Sequence, residues 1–200
     1  EENFNGYFGT TSGTDTRNPL MQRYGISLLG SEYRWEEHDA RFDYAEQPNE
    51  SNRSGWIVEI DPFRPTSIPA KRTALGRFKH ENAALTLAAD RRVVVYLGDD
   101  QVDEYLYKFV SAEAYDPAAG DAANKDRNLL ENGRLYVAKF DAGAVSGDMM
   151  GGGEWIPLEL DTPTVAGGRL GDLYADQGAL LIATRQAADA VGATKMDRPE

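Results

Sequence analysis

Residues 92–110 read RVVVYLGDDQVDEYLYKFV. β-Branched and aromatic residues crowd both sides of a Gly-Asp-Asp turn, and each apolar run is too short for a helix, so the stretch predicts strands over 92–97 and 104–110. The same reading extends outward. Strands are expected at 55–60 (GWIVEI), 71–78 (KRTALGRF), 84–88 (ALTLA), 134–140 (RLYVAKF) and 154–160 (EWIPLEL). Turn clusters fall between them at 61–67 (DPFRPTS), 88–92 (AADRR), 98–100 (GDD) and 147–153 (GDMMGGG).

Short strands in succession, without alternating long helices, describe a mainly β chain and argue against a parallel α/β sheet. A sandwich, a barrel and a propeller all fit. A propeller blade takes about 40–45 residues, so the chain has room for about four blades of a larger ring, although no clean internal repeat marks them. Two segments depart from the pattern. Residues 112–133 (AEAYDPAAGDAANKDRNLLENG) are polar and read as a long surface insertion. Residues 176–190 (DQGALLIATRQAADA) place Ala179, Leu180, Ala183, Ala187 and Ala190 on one stripe of a helix that Asp176 can cap.

With 33 acidic against 21 basic residues, the net charge of −12 argues against a phosphate-backbone binder of nucleic acid and is compatible with divalent cations, with plain solubility as the alternative. No cysteine is present, so a disulfide frame and a thiolate metal site are excluded within these residues. No apolar run reaches the roughly 18 residues of a membrane span, and no signal-peptide pattern occurs. The chain starts at Glu1 without an initiator Met and ends on MDRPE, and it reads as an excerpt.

Acidic side chains are the main candidates for chemistry, because hard cations want oxygen donors from separated positions. Glu81 follows a strand end in GRFKHEN, Asp99 and Asp100 occupy the GDD turn, and Glu200 closes the chain. Strand ends on one face of a β fold converge, so these acids can meet; solvated loop acids are the competing reading. GDDQVDE lacks the EF-hand spacing. Asp121, Asn124 and Asp126 form a candidate peripheral calcium loop, with an unliganded loop as the alternative. His38 reads as a surface or interface residue, and His80 as a neighbour able to orient Glu81. No nucleophile elbow, Walker loop or dinucleotide fingerprint occurs, so hydrolysis would be metal-assisted. Arg198 and Glu200, separated by Pro199, would face one side if the segment is extended, with a surface ion pair as the alternative.

Together EENFNGYFG, GWIVEIDPFRP, KRTALGRFKHEN, VVYLGDD, EYLYKFVS, LYVAKF and LIATRQAADAVGATKMDRPE resemble the PhoX family of calcium- and iron-dependent alkaline phosphatases. The likeness runs in order through nearly the whole chain. It implies that residues 1–200 are part of a β-propeller domain with loop insertions, in a protein exported through the twin-arginine route to a periplasmic or extracellular location. It also implies hydrolysis of small phosphate monoesters at a calcium and iron cluster.

Carried over residue by residue, KHEN would supply Glu81 as a bridging metal ligand and GDD would supply Asp100 as a calcium ligand. RPE would supply Glu200 as a metal ligand and Arg198 as the phosphate-binding cation, making Arg198 and Glu81 the catalytic candidates. EEN would supply Asn3 as a phosphate or metal contact. Glu1, Glu2 and Asp99 lie beside these positions as outer groups. The family's iron-binding cysteine would lie upstream and a further acidic ligand downstream, so the excerpt alone is expected to be poorly active. Two rival readings are a non-catalytic calcium-binding propeller scaffold and a single-calcium hydrolase of lactones or phosphotriesters.

Overall fold

The computed structural model describes residues 1–199. Strands β1 (Ile57–Glu59) and β2 (Ala70–Arg72) form an antiparallel pair. The centre is a five-stranded antiparallel sheet in the order β3 (Ala84–Leu87), β4 (Arg92–Gly98), β6 (Leu106–Ala114), β7 (Gly133–Phe140) and β8 (Gly153–Pro157). Between β4 and β6 the chain detours through β5 (Val102–Glu104), which pairs with β9 (Met196–Asp197). Among the described residues four short α-helices, α1 (Pro19–Arg23), α2 (Gly120–Asp126), α3 (Gln177–Ile182) and α4 (Thr184–Val191), and six 3-10 turns complete the regular structure.

Register follows from the apolar pattern. Val95 lies opposite Phe109, which lies opposite Leu135, and Leu97, Tyr107 and Val137 make the next row. All six are buried, and a one-residue slip would turn each of them to the other face. Leu180, Ala187, Ala188 and Val191 from α3 and α4, with Leu75 and Phe78, cover this face. Each large side chain so buried contributes about 1.5–3 kcal/mol. The mainly β expectation therefore holds. Among the described residues the sheet is open, with β3 and β8 at its edges.

Several expected elements differ. The run 71–78 is not one strand: β2 stops at Arg72, a 3-10 turn covers Thr73–Leu75, and Gly76 takes a left-handed φ of 82°. That turn, rather than strand alternation, buries both Leu75 and Phe78. The strand expected at 154–160 ends at Pro157, after which only the Leu158 amide reaches back to the neighbouring strand, donating to the Leu135 carbonyl at 2.8 Å. The polar stretch 112–133 begins as the end of β6 and contains α2.

The helix expected over 176–190 is two helices broken at Ala183. Asp176 caps the first as foreseen, accepting from the Ala179 amide at 2.8 Å. At the break Thr184 Oγ1 accepts the Arg77 amide proton (3.0 Å) and donates to the Leu181 carbonyl (2.6 Å). A tertiary contact thus sets the start of α4.

A second apolar cluster, Phe4, Phe8, Met21, Tyr24, Ile26 and Tyr44, anchors the N-terminal region. Arg77 joins it to the main core. Its buried guanidinium lies 4.2 Å from the Tyr24 ring centroid and 4.9 Å from that of Phe4, and donates to the carbonyls of Ser51 and Ser54, both at 2.8 Å. Burial pushes its pKa down to about 10.

Candidate active site

Four chain segments meet where β4 ends. Beyond Gly98, Asp99 forms an isolated antiparallel bridge with His80. The Asp100 amide donates to the Lys79 carbonyl (3.0 Å), and the Lys79 amide donates to Asp99 Oδ1 (3.3 Å). On the other side the β5–β9 pair delivers Arg198, whose amide donates to the Gln101 carbonyl (3.3 Å). The N-terminal segment completes the group, with the His80 amide donating to the Glu1 carbonyl (3.3 Å). Backbone pairing therefore gathers residues 1–3, 79–81, 99–101 and 197–198.

Side chains continue the convergence. Arg198 Nε donates to Asp100 Oδ1 at 2.5 Å; the arginine side chain is 58% exposed and that of Asp100 only 7%, so a sheltered carboxylate holds an accessible guanidinium. This bond holds the Asp100 carboxyl below its usual range, and a contact from the Glu2 carboxyl acts in the same direction. Asn3 Nδ2 donates to Glu2 Oε1 at 2.7 Å. Glu81 is exposed, and its charge, after that of Asp100, helps raise the Arg198 pKa. Arg198 itself takes a left-handed φ of 51°, unusual for a non-glycine residue and a form of backbone strain seen at functional positions.

Asn3, Glu81, Asp100 and Arg198 thus lie along one rim, with Asn3 linked through Glu2. Glu200 lies outside the described residues. The expected extended geometry of 198–200 does not hold at Arg198, where the left-handed backbone breaks the alternation of side chains. His80 does not orient Glu81. Its ring is buried against Phe78, with centroids 3.8 Å apart, and Nε2 bonds the Gly76 carbonyl at 3.0 Å. Nδ1 has no hydrogen-bond partner among the described residues, and burial lowers the pKa to about 3, so the ring is neutral. Lys79 Nζ donates to Gln101 Oε1 at 2.8 Å, while burial lowers its pKa. Glu1 is a structural anchor, with Oε2 accepting from the Gly55 amide (2.9 Å) and the Trp56 amide (3.1 Å). His38 is exposed, as expected.

Glu2, Glu81 and Asp100 offer hard oxygen donors, which suit calcium in kind. They fall short in number: among the described residues no group of three or more His, Cys, Asp or Glu side chains is gathered closely enough to hold a metal ion. Iron would meet only these same carboxylates here, since the His80 ring is committed elsewhere. Asp121, Asn124 and Asp126 are no exception, and the Asn124 amide is spent on the carbonyls of Asp116 (2.6 Å) and Gly120 (3.0 Å).

Sequence reasoning passed over two participants. Glu2 was only an outer neighbour, yet it touches Asp100. Arg185 was read as part of an Ala-rich helix, yet it forms a buried bidentate pair with Asp99. An arginine inside a small-residue helical stripe was the one available signal.

The chain is thus a mainly β protein with an accessible guanidinium braced by a carboxylate at the end of a strand of its antiparallel sheet. The family comparison gives this class a family. Residues 1–200 match the family model described as Alkaline phosphatase PhoX, and the chain belongs to that family. Among solved structures it is similar to Pseudomonas fluorescens PhoX in complex with vanadate, a transition state analogue, with 48% sequence identity and a TM-score of 0.87. That match covers 100% of this chain and 34% of the other, so the chain spans about a third of its relative's length. No curated protein matches the sequence.

Proposed function

We propose that the full protein is a metal-dependent alkaline phosphatase that hydrolyses small phosphate monoesters, with these residues forming part of a β-propeller domain. The observation that carries this reading is the Asp100–Arg198 pair, exposed on the guanidinium side, in a chain that belongs to the PhoX family. Asp100 engages Arg198 through Nε alone, so the Nη edge of the guanidinium presents two donors matched to phosphoryl oxygens. Asn3 orients Glu2 toward Asp100, and Glu81 adds negative charge that keeps Arg198 protonated.

Calcium and iron are the proposed cofactors, with Glu81, Asp100 and Glu200 as ligands alongside residues outside this chain. When bound, such cations neutralise charge on the phosphate dianion and activate the oxygen nucleophile. The protein residues bind and orient: Arg198 takes phosphoryl oxygens, and the carboxylates fix its direction. Ligands must be deprotonated for metal to bind, and activation of the oxygen nucleophile favours higher pH, in keeping with an alkaline optimum. A periplasmic or extracellular location and a role in phosphate scavenging accompany this reading; among the described residues no helix is long and apolar enough to cross a membrane.

Assay of the full protein on an aryl phosphate monoester, with added calcium and after chelation, tests the proposal. Chelator-sensitive turnover by the full protein, with little from residues 1–200 alone, is the expected result. Turnover that survives complete removal of metal, or no monoesterase activity in protein loaded with calcium and iron, would contradict it; the second outcome favours a calcium-binding scaffold.

A further inference from the structure

One face of the five-stranded sheet points into the core, where Val95, Leu97, Tyr107, Phe109, Leu135 and Val137 lie under α3 and α4. On the opposite face the register sets one row across all five strands, Ala84–Tyr96–Lys108–Tyr136–Pro157, and beside it the row Thr86–Val94–Val110–Arg134. Trp155, paired with Ala138, and Phe140 continue this face along β7 and β8. An antiparallel sheet with one face in water alternates apolar-in with polar-out, whereas a sheet that is apolar on both faces is covered on both. Here the second face carries two valines and four aromatic rings, and the charged members of its rows are Lys108 and Arg134.

Among the described residues nothing of the core extends to this face: neither apolar cluster includes a residue from it. Tyr96 is 40% exposed and Phe140 49%, while Lys108, Val110, Tyr136 and Trp155 are half-buried. A hollow of about 350 Å³ opens beside Val110, Arg134 and Tyr136. Contiguous apolar surface of this kind on a folded chain marks a site of interaction.

Lys108, on the middle strand, indicates the chemistry of the covering surface. Its Nζ sits 4.4 Å from the Trp155 ring centroid and 5.4 Å from that of Tyr136, and the Tyr96 and Trp155 rings are 6.0 Å apart. Burial lowers its pKa. Arg134 has a partner in Glu159 at 2.9 Å, whereas among the described residues no carboxylate pairs with Lys108. Covering an ammonium with apolar surface is costly unless the cover also supplies an opposite charge.

We propose that this face is an interface for further polypeptide of the same protein, outside residues 1–200, which lays apolar side chains on Val94, Tyr96, Val110 and Trp155 and sets a carboxylate opposite Lys108. The match with the solved relative leaves ample chain for such an occupant, since residues 1–200 cover 34% of that protein. A second copy docked face to face would bring another Lys108, rather than a carboxylate, to the same surface. The inference does not depend on the phosphatase reading.

Hydroxyl-radical footprinting of the native full protein tests the cover, with the unfolded protein as the open reference and buried Tyr107 as the closed one. Tyr96 is expected to be modified about tenfold or more below its unfolded rate, close to Tyr107. Modification well above Tyr107 and within about threefold of the unfolded rate, as a half-exposed ring gives, would overturn the inference. Repeating the measurement over a dilution series, with sedimentation to read the mass, identifies the occupant. Protection that persists in the monomer supports cover by the same chain; protection lost as oligomers dissociate assigns the face to a second copy and overturns the proposal. Zero-length carbodiimide coupling and mass spectrometry then test the charge. A crosslink from Lys108 to an Asp or Glu outside residues 1–200 is expected, and coupling confined to acids within 1–200, or none at Lys108 while Tyr96 is protected, would overturn the carboxylate partner.

Discussion

Asp99 and Asp100 are neighbours in one Gly-Asp-Asp turn, and each pairs with an arginine brought from near the end of the chain. Their surroundings are opposite. Asp99 and Arg185 are sealed in the interior, whereas Arg198 stands 58% exposed over Asp100. The alternation of an extended chain is enough to send one carboxylate inward and the next toward the surface. One turn thereby supplies both a buried ion pair and an exposed one.

Substitutions should separate the two roles. Asp99→Ala alone strands a buried guanidinium and should cost about 3–5 kcal/mol of stability, measured by urea unfolding of residues 1–200. A loss under about 1 kcal/mol would mean that water reaches the pair and that the contrast with Asp100 is false.

Acid provides a second probe of the same interior. The His80 ring has a pKa of about 3 in the folded chain against an ordinary 6.5, so the unfolded chain binds the extra proton between these limits. Stability from neutral His80 is therefore complete above pH 6.5 and declines as pH falls. Between pH 6.5 and 5 the loss should be about 2 kcal/mol. His80→Asn should flatten that slope in metal-free residues 1–200; an unchanged slope would assign the acid sensitivity to other groups.

Asp176→Ala is a smaller perturbation upstream of α4. It removes the cap bond to Ala179 and should cost about 1 kcal/mol, read as a lower thermal midpoint. At the exposed end of the scale, Arg198→Ala should alter stability by less than about 1 kcal/mol. Its effect should fall on substrate binding.

The sequence was clearest where local pattern and tertiary demand agree. The Val93–Val95 run and the alternating Tyr107 and Phe109 made β4 and β6 legible, because their side chains fill the core in the order written. It was least clear where a distant contact decides the local structure. Gly76 turns a strand-like run into a corner, and Thr184 breaks a helix to meet the Arg77 amide. In the site, Asp100 and Arg198 were visible from turn position and family likeness. Arg185 was hidden, since an arginine in a short helix reads as a surface residue until its partner is known. The His80 role was misjudged for the same reason: ring direction is set by packing on Phe78, not by its neighbour Glu81.

The most direct measurement is KM for an aryl phosphate monoester in the full protein carrying Arg198→Ala, taken with its unfolding midpoint on the same preparation. A rise in KM of about tenfold or more at an unchanged midpoint is expected, because an exposed charge-assisted donor pair to phosphate is lost while the buried ion pair remains. Unchanged KM and kcat would contradict the assignment of the Asp100–Arg198 rim as the phosphate-binding face.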